Sequence, residues 1–277
     1  ALGFGHQAIL SPHIGDLDGL AAEDYFRATI ATFTRLYDFT PELILCDKHP
    51  GYFSSRWAAA QGVPLMTVQH HYAHALAGMT ACGIGFDHDV LAFCWDGTGY
   101  GDDGTLWGGE VLECSWRGFR RIFHLARIPL PGGEAAIREP RRVALSLLLE
   151  HYGDAALYLA NPCIASFSAR ELELLRTMQR KNLNVPLSSS VGRLFDAAAS
   201  LLGICQKMTF EGQSGMLMEK YYDSSLKLCY RFAIDGEQIN FSACLAALAE
   251  ERDPVRGVTG FINMLVELAL HLVERCG

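Results

Sequence analysis

The chain has 277 residues, half of them hydrophobic and 19% charged, with a formal net charge of −8 at pH 7. That length allows one large or two smaller domains with a sizeable core, and the acidic balance argues against non-specific nucleic-acid binding as the main role. The opening Ala1-Leu2-Gly3-Phe4-Gly5-His6 lacks the basic region and apolar core of a signal peptide, and no apolar run is expected to be long enough to cross a bilayer. A βα rhythm runs through the first third. Residues 43–47 and 64–69 read as buried strands and 52–61 and 70–82 as helices, the second helix ended by Gly83 and Gly85. Residues 89–95 form the next strand, followed by a glycine-rich loop and antiparallel strands over 105–114 and 119–125. Helical spacing marks 141–152, 169–180 and 191–202, the last one capped from Ser188-Ser189-Ser190. A strand is expected over 228–234, and an apolar-periodic helix ends the chain. Strands alternating with helices imply an α/β sheet covered on both faces.

The nine cysteines include no CxxC pair, which argues against a zinc ribbon or a thioredoxin-like site. Their odd count and their apolar neighbours, as in Leu43-Ile44-Leu45-Cys46, suggest reduced core thiols in a cytoplasmic protein.

Two segments carry chemistry. His70 and His74 lie four apart on an expected helix, about 1.1 turns, so they project from one face. Neutral imidazoles suit zinc or iron, and Asp96, at the end of the next strand, is a candidate third ligand. Position 71 is His, not the Glu of HExxH, which disfavours a zinc-protease site. After Asp96 come Gly97, Thr98, Gly99 and Gly101, which allow close backbone approach to an anion, although GK[ST] and GxGxxG are both absent. A tight β-hairpin is the plainer reading of that loop. His13-Ile14-Gly15-Asp16 and Asp47-Lys48-His49-Pro50 lie near expected strand ends, where α/β sheets place ligands. Gly192-Arg193-Leu194-Phe195-Asp196 opens a helix whose N-terminus favours an anion, with Asp196 able to accept from ribose hydroxyls; Glu211, next to Gly212, could add a second carboxylate.

The segments VQHHYAH (68–74), DGTGYGDDGTLWGGE (96–110), IPLPGGEAAIREPRR (128–142), SSSVGRLFDAAASLLG (188–203) and FEGQ (210–213) resemble the HypF carbamoyltransferase family, in its C-terminal domain. SPHIGDLD (11–18) and CDKHPGYFSSR (46–56) add to the resemblance, which covers nearly the whole chain in order. It implies an actin-like ATPase fold of two RNase-H-like lobes, here 1–88 and 89–277, with a helical insertion at about 134–186 and with strands missing at both ends. Unpaired edges and exposed apolar surface are then expected. It further implies a divalent iron or zinc ion on His70, His74 and Asp96. The phosphate would lie at Gly97, Thr98, Gly99 and Gly101, and the nucleoside at Asp196, Glu211 and Gly212.

The implied reaction moves a carbamoyl group from carbamoyl adenylate to the C-terminal cysteine of a HypE-like partner, in cyanide-ligand synthesis for nickel–iron hydrogenase. Carbamoyl phosphate and ATP would be consumed by adenylate-forming modules of a longer parent chain. The competing readings are an O-carbamoyltransferase, a tRNA-modifying relative, or a non-catalytic fragment that binds nucleotide or partner.

Overall fold

A computed structural model describes residues 1–276, which form two compact units, Ala1–His70 and a second from His71 onward. In the first unit, β1 (Leu2–Phe4) and β2 (Gln7–Ile9) make an antiparallel hairpin, and α1 (Leu20–Leu36) follows. Then β3 (Ile44–Asp47), α2 (Phe53–Ala59) and β4 (Leu65–Val68) make a βαβ unit, its strands parallel from Ile44↔Leu65 to Asp47↔Val68. Phe26 of α1 meets Phe53 and Trp57 of α2 edge-on, at centroid distances of 5.7 and 5.4 Å. The core is thin: only Thr29, Ala58 and Gln69 are buried in this unit, and Leu45 and Met66 are 61% and 53% exposed. A two-stranded sheet cannot bury both of its faces, so the expected exposed apolar surface is found here.

The second unit takes in α3 (His70–Ala81) from its second residue onward. A meander follows: β5 (Val90–Tyr100), β6 (Leu106–Ser115) and β7 (Gly118–Leu125), each antiparallel to the next. From β8 (Ile128–Pro129) the chain enters a helical stretch: α4 (Glu134–Arg138), α5 (Pro140–Tyr152), a 3₁₀ turn (Gly153–Tyr158), α6 (Pro162–Ala165) and α7 (Ala169–Arg180). It returns on β9 (Leu187–Ser188), which pairs antiparallel with β8 and parallel with β6. The stretch between β8 and β9 is therefore an excursion that leaves and re-enters at adjacent strands. The remainder is α8 (Val191–Leu201), α9 (Gln213–Glu219), β10 (Ala233–Asp235), β11 (Gln238–Asn240), α10 (Ser242–Glu250) and α11 (Pro254–Cys276). β11 runs parallel to β7, giving a seven-stranded mixed sheet.

Alternation along β6 covers both faces of this sheet. Val111 joins a cluster with Leu125, Val143, Leu145, Leu194, Phe261 and Leu268, while its neighbour Leu112 packs with Ala75 and Met79 of α3, Cys94, Trp107 and Cys114. That second cluster ties α3 to the meander within the second compact unit. Each fully buried leucine contributes about 1.5–3 kcal/mol.

Several expectations need amending. The strand expected over 228–234 shrinks to Ala233–Asp235, because Asn263 Nδ2 donates to the Leu226 and Leu228 carbonyls and Tyr230 N–H to the Gly260 carbonyl, binding this segment to α11 instead of a neighbouring strand. Helix α11 is by length and composition apolar enough to cross a membrane, contrary to expectation. Half of its apolar window is buried, however, with Phe261, Met264, Leu268 and Leu272 fully inside the core. All nine thiols are free, but Cys82, Cys229 and Cys276 are exposed and Cys46 is half-buried, so core packing accounts only for the other five.

Candidate metal and phosphate site

His70 and His74 stand one turn apart on α3, while His71 between them turns inward and is fully buried near Trp107, at a ring-centroid distance of 5.9 Å. His70 Nδ1–H donates to Asp47 Oδ2 at 2.7 Å, and the other oxygen of that carboxylate accepts from the His49 amide. A carboxylate that fixes one imidazole nitrogen leaves Nε2 as the metal-binding atom and raises its basicity. Asp47, the last residue of β3, thus orients His70. His74 Nε2 lies 3.7 Å from Asp96 Oδ2. His74 and Asp96 thus offer two ligand atoms side by side in the second unit, and His70, the last residue of the first, precedes His74 by one turn on α3. Two imidazoles and a carboxylate form a donor set suited to zinc or iron, so the residues fit such an ion.

Asp96 stands where the β5–β6 ladder breaks. Trp95 pairs with Gly109 and Gly99 with Trp107, so Asp96, Gly97 and Thr98 together oppose Gly108 alone. Such a bulge aims side chains out of a ladder and is common beside functional sites. The Gly97 amide donates to Asp96 Oδ1 at 2.6 Å, and Ser190 Oγ lies 2.7 Å from the carbonyls of both Asp96 and Gly97. Ser190 is the residue before α8, and its side chain makes no cap bond to that helix. The expected serine cap is therefore replaced by a clamp on β5. With the Ser190 side chain turned away from the first turn of α8, the N–H groups and dipole there are suited to an anion.

The glycines of this region divide by role. A Cβ built on Gly192 would meet Gly97 Cα at 3.0 Å, so α8 starts directly against the bulge. A Cβ on Gly97 would meet Glu211 Oε1 at 2.8 Å, which brings the segment before α9 to the same place. Gly99 and Gly101 lie further along the hairpin. Gly99 is paired with Trp107, and Gly101 has no room for a side chain against the Trp107 indole. The hairpin reading describes the part of this loop from Gly99 onward, and around Gly97 the close neighbours are Glu211 and the start of α8.

Asp196 is buried on α8, with Arg193 NH2 3.0 Å from its Oδ2. Burial raises the Asp196 pKa, Arg193 opposes the rise, and the Glu211 charge adds to it. Asp196 and Glu211 are thus near enough for their charges to interact. Glu211 and Gly212 are exposed, and Gly212 holds a left-handed φ of 77° that starts α9.

A mixed sheet covered on both faces, with a bulge in β5 set against the start of α8, fits the actin-like, Kae1-like α/β class. Residues 92–277 match the family model described as the second subdomain of the carbamoyltransferase Kae1-like domain, and residues 1–81 match the HypF Kae1-like domain. The chain belongs to the HypF carbamoyltransferase family. It is 37% identical over 295 residues to the carbamoyltransferase HypF of Synechocystis sp., covering 98% of this chain and 38% of that protein. It is 41% identical over 219 residues to the HypF of Rhodobacter capsulatus, covering 77% of this chain and 29% of the relative. Among solved structures, full-length HypF in a phosphate- and nucleotide-bound form superimposes with a TM-score of 0.86 at 32% identity, covering 95% of this chain and 42% of that one. The chain thus spans well under half the length of these relatives.

Proposed function

We propose that this chain carries the carbamoyl-transfer step of a HypF-type enzyme. Carbamoyl adenylate lies with its phosphate against Gly97 to Gly101 and the first turn of α8, and with its nucleoside toward Asp196, Glu211 and Gly212. The acceptor is the C-terminal cysteine thiolate of a HypE-like protein. Its sulfur attacks the carbamoyl carbon, the carbon–oxygen bond to the phosphate breaks, and AMP leaves with the electron pair. The products are an S-carbamoyl thioester and AMP, the thiol proton having been lost beforehand. The cyanide ligands of nickel–iron hydrogenase are the destination of this carbamoyl group, and carbamoyl phosphate and ATP are used by other modules of the longer chain. The free thiols of this chain suit a cytoplasmic setting.

The observation that carries this reading is the position of Asp96-Gly97. The carboxylate of Asp96 faces His74, while Gly97 abuts the start of α8 and Glu211. Metal and phosphate half-sites therefore meet at one dipeptide, where the leaving oxygen of a mixed anhydride needs both. Bound by His70, His74 and Asp96, a divalent ion would supply Lewis-acid stabilisation of the developing charge. The chain's own groups do the rest: backbone amides hold the phosphate, and the bulge fixes its position before the thiolate arrives.

The test supplies carbamoyl adenylate from the adenylate-forming modules of a HypF relative and follows the C-terminal peptide of HypE by mass. This chain, loaded with zinc or iron, should add one carbamoyl group per acceptor and release AMP. An acceptor left unmodified by a chain that is folded and metal-loaded sinks the reading. Gly97→Ala probes the phosphate half-site. The new methyl group meets only the movable end of Glu211, so folding should survive, and AMP affinity by calorimetry should fall about tenfold, because the methyl crowds the position proposed for the phosphate.

A further inference from the structure

β6 carries a carboxylate where its pattern asks for an apolar side chain. Glu110 is fully buried beside Val111 and Leu112. An isolated carboxylate there would be strongly disfavoured, yet this one is saturated with donors. Its Oε2 accepts the amides of Gly108 at 2.5 Å and Gly109 at 2.7 Å. Its Oε1 accepts Ser189 Oγ at 2.5 Å and Arg121 NH2 at 2.8 Å.

The identity of those donors gives Glu110 its meaning. Gly108 is the residue that faces the Asp96–Thr98 bulge alone. The Asp96 carbonyl, which faces it, accepts from Ser190 Oγ instead. The Gly108 amide would be a buried orphan without Glu110, and an orphaned donor draws the strand back into a regular ladder. A regular ladder would pull Asp96 and Gly97 off their present positions. Gly108 also lies so close that a Cβ there would be 2.6 Å from the Asp96 carbonyl oxygen and 2.9 Å from Ser190 Cβ. Through Ser189, the same carboxylate holds the residue before Ser190, which clamps the bulge from the other side. One side chain thus fastens the floor of the bulge and the start of α8 together.

We infer that Glu110 is a positioning residue that holds the Asp96–Thr98 bulge out of the β5–β6 ladder and so presents the Asp96 carboxylate and the Gly97 backbone to metal and phosphate. The functional half of this statement rests on the carbamoyl-transfer reading; the structural half does not. Burial pushes the Glu110 pKa up, while Ser189, Arg121 and the two glycine amides oppose the rise.

Glu110→Gln in the intact chain tests it. Its amide must turn an NH2 toward either the two glycine amides or Arg121, so one donor faces another in both orientations. Hydrogen exchange of peptides covering 94–109 should quicken at least tenfold, with α5 and α11 unchanged, and AMP affinity should fall about tenfold. Unchanged exchange at 94–109 in the folded variant overturns the inference. Should Glu110→Gln fail to fold, Ser189→Ala removes a single donor and should quicken exchange of the same peptides by a smaller factor; no change there overturns it equally. A wild-type chain that binds no AMP would overturn the carbamoyl-transfer reading alone, since exchange at 94–109 still decides the role of Glu110.

Discussion

Asp96→Asn is expected to abolish stoichiometric zinc or iron binding and to lower carbamoyl transfer about 10²–10³-fold, the usual cost of removing one preorganised electrostatic contact, while leaving the fold and AMP binding intact. The substitution is close to isosteric. The asparagine carbonyl can still accept the Gly97 amide that now bonds Asp96 Oδ1. The Oδ2 that faces His74 at 3.7 Å becomes an NH2, which cannot ligate a metal. The bulge, the Ser190 clamp and the start of α8 do not depend on that oxygen, so melting temperature and AMP affinity should hold. Metal content by emission spectroscopy and AMP calorimetry on the same sample separate the two half-sites. A variant that keeps a full equivalent of metal removes Asp96 from the ligand set.

The site was legible in sequence where its logic is local. Two histidines four apart need only a helix to converge, and an aspartate ending an apolar run needs only a strand. The glycines after Asp96 announced a close approach, but not that Gly97 meets α8 and Glu211 while Gly101 makes room for Trp107. The Gly97 contacts join residues about a hundred positions apart, and no periodicity encodes them. Ser190 shows the same limit. A serine before a helix reads as a cap, yet its hydroxyl binds the Asp96 and Gly97 carbonyls because the bulge offers them at 2.7 Å.

Fold elements were legible in proportion to their apolar rhythm. Ala169–Arg180 matched its expected bounds, with Ser168 and Glu171 forming a capping box. Helix α1 was not anticipated: Thr29, Thr32 and Thr34 dilute its pattern, and only Thr29 is buried. Glu110 carries no role in the sequence, since a charged residue in a strand reads as solvent-facing until its four partners are seen.

The second large effect lies away from the site, at Arg141. This guanidinium is buried at the N-terminal end of α5, its side chain 5% exposed. It bonds Glu139, the Ser166 carbonyl and Glu171, and sits over the Phe167 ring at 4.3 Å. Three segments of the helical excursion therefore depend on one side chain. Arg141→Met keeps most of the stem volume but leaves the Glu139 carboxylate and the Ser166 carbonyl short of a donor. Breaking one partner of a buried pair costs about 3–5 kcal/mol, and the lower end applies because Glu171 remains open to water. About 3 kcal/mol lowers the melting temperature by roughly 6–12 °C in a unit of this size. The pH dependence gives a second reading of the same contact. Hydrogen bonds from Ser168 and then Arg141 lower the Glu171 pKa from 4.5 to about 2, and the pKa of Glu139 is lowered by its two arginines, Arg142 and Arg141, against burial. A depressed carboxylate contributes its full stability above its unfolded pKa, about 4.3, and loses it as pH falls through the folded value. The wild-type melting temperature should therefore fall between about pH 5 and pH 2, and the Arg141→Met variant should show a shallower fall over the same window. Calorimetric melting at both ends of that window decides the matter: equal melting temperatures for the two proteins at neutral pH would show that Arg141 does not hold the excursion together.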